Sequence, residues 1–137
     1  MRVFLENAHA DIAPAAFVDP FLRSIVFQLV PGAMAALDSL AGAGLVLACV
    51  ANWDVSLLDH LDLLGVSKRF GAIVPSAVAG VEKPDPGIFH LALTRLGVRP
   101  ARALHIGNDA VDQAGAQAAG LAFAPTPLAT LPARLGL

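Results

Sequence analysis

Short apolar runs alternate with helical patterns along this chain of 137 residues, from Pro31 to its end. The runs occupy residues 45–50, 72–74, 103–107 and 121–124. This alternation is typical of a parallel sheet whose strands are joined by crossover helices. The run 45–50 is continuous and uncharged, so it predicts a strand that is buried on both faces. We therefore predict an α/β fold.

The segments between these runs carry the start signals of helices. Pro31 stands where the first turn of a helix tolerates a proline. Asp54 is a candidate N-cap of the next helix, and Asp85, which is followed by a proline, is a candidate N-cap of the third. Further helices are predicted up to residue 119 and over residues 128–135. Strands and helices thus follow one another through most of the chain.

The first thirty residues do not follow this alternation. Their apolar residues recur at every fourth position, which predicts an amphipathic helix; these are Phe17, Phe21, Ile25 and Leu29. Residues 2–5 could form a short strand. We place a boundary near Val30, which divides the chain into residues 1–30 and a core of residues 31–137.

Charge and hydropathy exclude several classes of partner. The net charge is −2 and there is no basic cluster, so we expect binding neither to nucleic acid nor to an anionic membrane. The apolar stretch 39–53 is shorter than the roughly 20 residues of a membrane span, and the stretch 113–133 contains three prolines. The single cysteine, Cys49, lies in an apolar run and predicts a buried thiol. The N-terminus lacks a signal-peptide core, so we predict a cytoplasmic protein.

Polar side chains stand next to several of the predicted strands. In an open α/β sheet, groups at the carboxyl ends of the strands face one crevice, where ligands bind. The residues in question are Asn52, Asp54, Lys83, Asn108, Asp109 and Asp112. The sequence therefore predicts one site at this edge of the sheet.

The order of these motifs resembles the second half of the haloacid dehalogenase (HAD)-like hydrolases. Residues 83–89 read Lys-Pro-Asp-Pro-Gly-Ile-Phe, and residues 105–120 read His-x-Gly-Asn-x-x-x-Asp-x-x-Gly-Ala-x-x-Ala-Gly. Residues 50–52, Val-Ala-Asn, are similar to the family's second motif. The resemblance covers roughly residues 25 to 124 and depends on several motifs in the right order. It implies a partial Rossmann-like core, a parallel sheet with flanking helices that lacks the nucleophile strand, preceded over residues 1–30 by the remnant of a helical cap.

The resemblance also implies a chemistry. Such enzymes attack a phosphoryl group with an aspartate, while a lysine and Mg²⁺ offset the negative charge of the transferring group. The expected substrate is a small phosphorylated or halogenated molecule. By position, Lys83 matches the catalytic lysine and Ala51 and Asn52 the substrate-binding positions. The positions that match the metal ligands are Asn108, Asp109 and Asp112.

The chain departs from the family pattern at several of these positions. The nucleophile motif is absent from residues 1–30, where Glu6 and Ala8 stand in place of two aspartates. Ala51 has no hydroxyl to donate to a phosphate, and Asn108 brings an amide oxygen without charge. We therefore predict a fragment or degenerate member with little or no phosphatase activity as this chain.

A second hypothesis is a binding or interaction module without catalysis. By resemblance, the missing strand belongs between the runs 45–50 and 103–107, and unpaired buried backbone groups are costly. Residues 2–5, direct pairing of the two flanking strands, a second copy of the chain or another polypeptide could fill the gap. A third hypothesis is that the protein starts upstream and that Met1 is an internal methionine.

Each candidate residue also has a purely structural interpretation. Asn52 and Asp54 could cap a helix, as could Asn108 and Asp109. Asp112 could be a first-turn acid that complements a helix dipole. His105 could be a core or interface histidine, and Trp53 beside the site could serve packing alone.

Overall fold

The computed structural model describes residues 25–137, in which short strands and helices alternate as predicted. The strands are β1 (Ala48–Ala51), β2 (Ala72–Pro75), β3 (Leu104–Gly107) and β4 (Ala122–Pro125). The helices are α1 (Ala33–Gly42), α2 (Leu57–Leu63), α3 (Ser76–Ala79), α4 (Gly87–Leu96), α5 (Ala110–Ala118) and α6 (Leu131–Arg134). Single turns of 3₁₀ helix cover Ser67–Arg69, Pro100–Arg102 and Leu128–Thr130. The predicted α/β fold class is confirmed.

The strands form two separate parallel pairs. Strand β1 pairs with β2, with Ala48 opposite Ala72, and β3 pairs with β4, with Leu104 opposite Ala122. Among residues 25–137, no strand pairs with the second edge of β1 or of β3. Direct pairing of these two strands, one of the ways considered for filling the gap, is therefore wrong for this part of the chain.

Strand β1 is less buried than its neighbour β2. In β2, Ala72 is 5% exposed and Val74 is fully buried, whereas every residue of β1 is at least partly exposed. Leu45 and Val46, which precede β1, are 46% and 64% exposed. The prediction that the whole run 45–50 is a strand buried on both faces is wrong, because the strand begins only at Ala48 and all of its residues are at least partly exposed.

Helix α4 and strand β2 build the larger part of the core. The buried side chains of α4 recur at helical spacing and face the sheet; they are Ile88, Phe89, Ala92 and Leu93. Ile88 and Phe89 are almost completely buried and pack with Val74 and Ala116. Gly97 ends the helix with a φ of 65°, a conformation that a residue without a side chain adopts at little cost.

The segment 25–30 contains no helix, so the predicted amphipathic helix is wrong at Ile25 and Leu29. Pro31 disfavours a helical conformation in the residue before it. The ring of Phe27 instead packs edge-on against Trp53 and His60, at centroid distances of 5.0 and 4.8 Å. The rest of that helix, the short strand at residues 2–5 and most of the cap remnant lie outside the described residues, and the boundary near Val30 stays a prediction.

The helices of this core are short. Helices α1 and α4 have 10 residues each. Over residues 25–137, none combines the length and the apolar character that crossing a bilayer requires.

Candidate functional site

The carboxyl ends of β1 and β3 are joined through Lys83. Asn52, the residue after β1, holds the backbone of Lys83 with both ends of its side-chain amide. Its Oδ1 accepts the Lys83 N–H at 2.7 Å, and its Nδ2 donates to the Lys83 carbonyl at 3.1 Å. The Lys83 ammonium donates to Oδ1 of Asp112 in the first turn of α5. The structure thus brings together Asn52, Lys83 and Asp112, as the crevice rule predicted.

Asp112 is the best-connected polar group of the site. It is 3% exposed, and both of its carboxylate oxygens have partners. Oδ1 accepts from Lys83 Nζ and lies 3.0 Å from Nε2 of His105, while Oδ2 accepts the backbone N–H of Asn108 at 3.1 Å. Its own N–H donates to the carboxylate of Asp109 at 2.9 Å. The carboxylate is therefore held from three directions.

The charge state of Asp112 follows from these contacts. Burial by itself would raise the pKa of this carboxyl, but hydrogen bonds from Lys83, His105 and the Asn108 backbone, together with the Lys83 charge, bring its pKa to about 2. The carboxyl is ionised at neutral pH and forms a buried ion pair with Lys83, whose side chain is 12% exposed.

His105 lies in β3 with its ring between apolar and charged neighbours. The ring packs edge-on against Phe89, at a centroid distance of 4.8 Å, and its side chain is 14% exposed. Burial lowers the pKa of His105 below its ordinary value, against the opposing attraction of the Asp112 carboxylate. The core interpretation of His105 is confirmed, but its contact with Asp112 was not predicted, because the sequence does not reveal which way the carboxylate turns.

The remaining candidate residues stand at the rim of this cluster. Ala51 ends β1 and offers only a methyl group. Asp109 is the N-cap of α5, since its side chain accepts the Asp112 N–H. The capping interpretation of Asp109 is therefore confirmed. Asn108 is exposed and joins the cluster through its backbone.

The acids and amides of this site have the oxygen chemistry that Mg²⁺ prefers, but their arrangement does not form a metal site. The charge that a metal would use on Asp112 is neutralised by Lys83. Over residues 25–137, no three His, Cys, Asp or Glu side chains converge in a way that could hold a metal ion. The described residues as they stand therefore do not fit Mg²⁺.

Two glycines allow α5 to come close to this cluster. A methyl group on Gly107 would lie closer than 3.0 Å to the Cβ and Cγ of Asp112. A methyl group on Gly115 would come within 2.7 Å of the Phe89 ring and 3.1 Å of the Pro84 carbonyl. Gly115 therefore allows the helix to approach its neighbours closely.

An open groove of about 590 Å³ lies beside Asn52. Its lining consists of Asn52, Trp53, Asp54, Ser76, Ala77, Gly80, Val81 and Glu82. The backbone of Trp53 is fixed there, because its N–H donates to the Ser76 hydroxyl at 3.1 Å and its carbonyl accepts from the same hydroxyl at 3.1 Å. The Trp53 ring packs as predicted, and it also borders the groove.

Comparisons with known proteins agree with the motif order. Residues 3–120 match a family model described as haloacid dehalogenase-like hydrolase. The chain is 40% identical over 127 residues to the bovine haloacid dehalogenase-like hydrolase domain-containing protein 3. This alignment covers 89% of this chain and 50% of the bovine protein. It is 36% identical over 96 residues to a ribulose-1,5-bisphosphate 5-phosphatase of Halopiger xanaduensis, covering 69% of this chain and 40% of the other.

A solved structure shows the same fold. The chain superimposes on a HAD phosphatase from Thermococcus onnurineus with a TM-score of 0.76 and 22% sequence identity, over 98% of this chain and 70% of that one. The chain spans about half the length of the curated relatives it matches.

Proposed function

The chain belongs to the haloacid dehalogenase-like hydrolases, and from this membership we propose that it is a phosphatase-type member with little or no turnover as the present chain. Similarity to proteins named as phosphatases supports the reaction class. The substrate would be a small phosphorylated molecule, with a halogenated one as the other option within the family.

The ion pair between Lys83 and Asp112 is the observation that carries this proposal. A lysine in this position would offset the charge of a transferring phosphoryl group. Here its ammonium is bound to Asp112, and a phosphate would have to compete with a buried carboxylate that is also negatively charged. Among residues 25–137, Asp112 is the only acid in ion-pair contact with Lys83.

We expect the chain to hydrolyse para-nitrophenyl phosphate in the presence of Mg²⁺ no faster than the buffer does. Without a carboxylate to form the covalent intermediate, the remaining groups lose most of their effect, because residues that act as a unit contribute little alone. The measurement is the release of nitrophenolate by the unaltered chain and by Lys83→Ala.

The matched control is Lys68→Ala, which removes an exposed lysine remote in sequence from the site. A residual rate that is the same in the unaltered chain, Lys83→Ala and Lys68→Ala would come from a contaminating phosphatase. A rate that Lys83→Ala abolishes and Lys68→Ala preserves would contradict the proposal of low turnover.

A second candidate function, assembly through strand edges, is favoured by the unpaired edges of β1 and β3 within residues 25–137. Such edges readily accept another strand. This function predicts a solution mass of at least twice the 14.1 kDa of one chain, measured by size exclusion with light scattering. Val46→Lys, next to β1, should then reduce the mass, and the exposed Val78→Lys in α3 should not. A monomer at all concentrations would exclude self-assembly.

A further inference from the structure

His105 has a polar partner on one side of its ring and apolar rings on the other. Nε2 lies 3.0 Å from Oδ1 of Asp112, whereas Phe89 packs edge-on at 4.8 Å and Phe123 lies at a tilted 6.3 Å. The contact joins β3 to α5 across the turn that carries Asn108 and Asp109. His105 therefore makes a polar contact in addition to packing against aromatic rings.

The chemistry of the two groups fixes the position of the proton between them. The ionised Asp112 carboxylate can only accept hydrogen bonds, so Nε2 has to be the donor. A neutral imidazole that carries its proton on Nε2 has none on Nδ1. One tautomer is thereby selected.

The two donors on Oδ1 of Asp112 differ in mobility. Lys83 reaches the oxygen through a long flexible side chain, whereas His105 reaches it through a rigid ring anchored in a strand. Any anion that attracts the ammonium away would remove one donor. His105 would still hold Oδ1, and the Asn108 N–H would still hold Oδ2.

We propose that His105 is a positioning residue, whose Nε2–H fixes the Asp112 carboxylate whether or not Lys83 is bound to it. The hydrogen bond between His105 and Asp112 does not depend on any reaction, whereas a role for it in catalysis rests on the proposed function. His105 does not serve as a base through Nε2 in this arrangement, because that nitrogen already carries its proton toward Asp112.

The first test is the tautomer of His105 in the full chain at neutral pH. Long-range ¹H–¹⁵N spectra distinguish a protonated from an unprotonated ring nitrogen. We expect a protonated Nε2 both in the unaltered chain and in Lys83→Met. An Nε2 without a proton in either protein would overturn the proposal.

The second test is the hydrogen-exchange protection of the Asn108 amide, which reports directly on Oδ2 of Asp112. Hydrogen bonds to charged groups are among the stronger ones, so loss of the Nε2–H donor in His105→Leu should lower this protection by roughly 10-fold or more. His105→Gln, whose amide can donate in place of Nε2–H, should restore most of it.

Phe123→Leu is the control for packing, because it loosens the surroundings of the ring and leaves the donor in place. Equal loss of Asn108 protection in His105→Leu and Phe123→Leu would mean that His105 has only a packing role. Unchanged protection in His105→Leu would refute the proposal as well. If His105→Leu does not fold, the tautomer in the unaltered chain decides. None of these readouts uses turnover, so a failed phosphatase assay would leave the proposal standing.

Discussion

Replacing Asp112 by asparagine is expected to lower the free energy of unfolding by about 3–5 kcal/mol. Removing one partner of a buried ion pair leaves the other charge in place without compensation, and losses of this size are typical of that change. Here the group left behind is the Lys83 ammonium, whose side chain is 12% exposed. The substitution also replaces the carboxylate, whose Oδ1 accepts hydrogen bonds from Lys83 and His105, with an amide that carries no charge. Urea unfolding at neutral pH, followed by circular dichroism, measures the loss.

The control for this substitution is Asp38→Asn, which breaks the ion pair between Asp38 and Arg69. That pair has the geometry of a good salt bridge, 2.7 Å from Nε of Arg69 to Oδ1 of Asp38, but the Asp38 side chain is 56% exposed. Exposed pairs contribute at most about 1 kcal/mol. Equal losses in the two variants would show that burial of Asp112 is not what makes its ion pair important.

The pH dependence of stability tests the same ion pair between Lys83 and Asp112. The folded pKa of Asp112, about 2, lies below its ordinary value of 3.8. A depressed pKa contributes stability that is present above the ordinary value and is lost as the pH falls through the folded value. The difference in stability between the unaltered chain and Asp112→Asn should therefore shrink between about pH 4 and pH 2. A constant difference over that interval would contradict the assignment.

Gly107→Ala is expected to reduce the free energy of unfolding by about 3 kcal/mol, although it adds a single methyl group. Overpacking at a tight contact typically costs 1–3 kcal/mol, and more where neighbours cannot move. The added methyl would overlap Cβ and Cγ of Asp112 at less than 3.0 Å. That side chain cannot rotate away without releasing Lys83, His105 and Asn108. Thermal unfolding and the Asn108 amide shift together measure the effect.

Gly42→Ala provides the comparison for Gly107→Ala. Gly42 is the last residue of α1, and a methyl group added there meets no heavy atom within 4 Å. Since alanine is the better helix former, this variant should be neutral or slightly more stable. If both alanines had the same effect, the close packing between β3 and α5 would not matter to stability.

Local sequence signals were enough to predict the order of the four strands and of the longer helices, but not the four-residue helix α3. Apolar runs gave the strands because each is bounded by glycines, prolines or polar residues. Asp54 and Asp85 mark the helix starts but are not the N-caps that we predicted, because Ser56 and Pro86 hold those positions. Each acid instead accepts the N–H two residues ahead of it, as Asp85 accepts the Gly87 N–H at 2.7 Å. The start of β1 was less well predicted, since Leu45 belongs to the apolar run but the strand begins at Ala48.

Long-range features were predicted only in part. The rule on carboxyl ends predicted that Asn52, Lys83 and Asp112 would meet. It did not predict which atoms would form hydrogen bonds, because that depends on the directions of side chains that are far apart in sequence. Lys83 and Asp112 are separated by 29 positions, and Asn52 and Lys83 by 31. The burial of β1 was also beyond local reasoning, since burial depends on which strand lies next to it.

The two hydrogen bonds between the Asn52 side chain and the Lys83 backbone have a consequence for the lengths that the intervening segment can adopt. Two hydrogen bonds fasten the end of β1 to the lysine, so the 30 intervening residues form a loop with fixed ends. The entropy of closing a loop grows slowly with its length, by about 0.6 kcal/mol for each doubling. Insertions in the exposed turns of this segment can therefore accumulate at little thermodynamic cost while the ammonium group keeps its place, whereas β2 and its buried Val74 do not have this freedom.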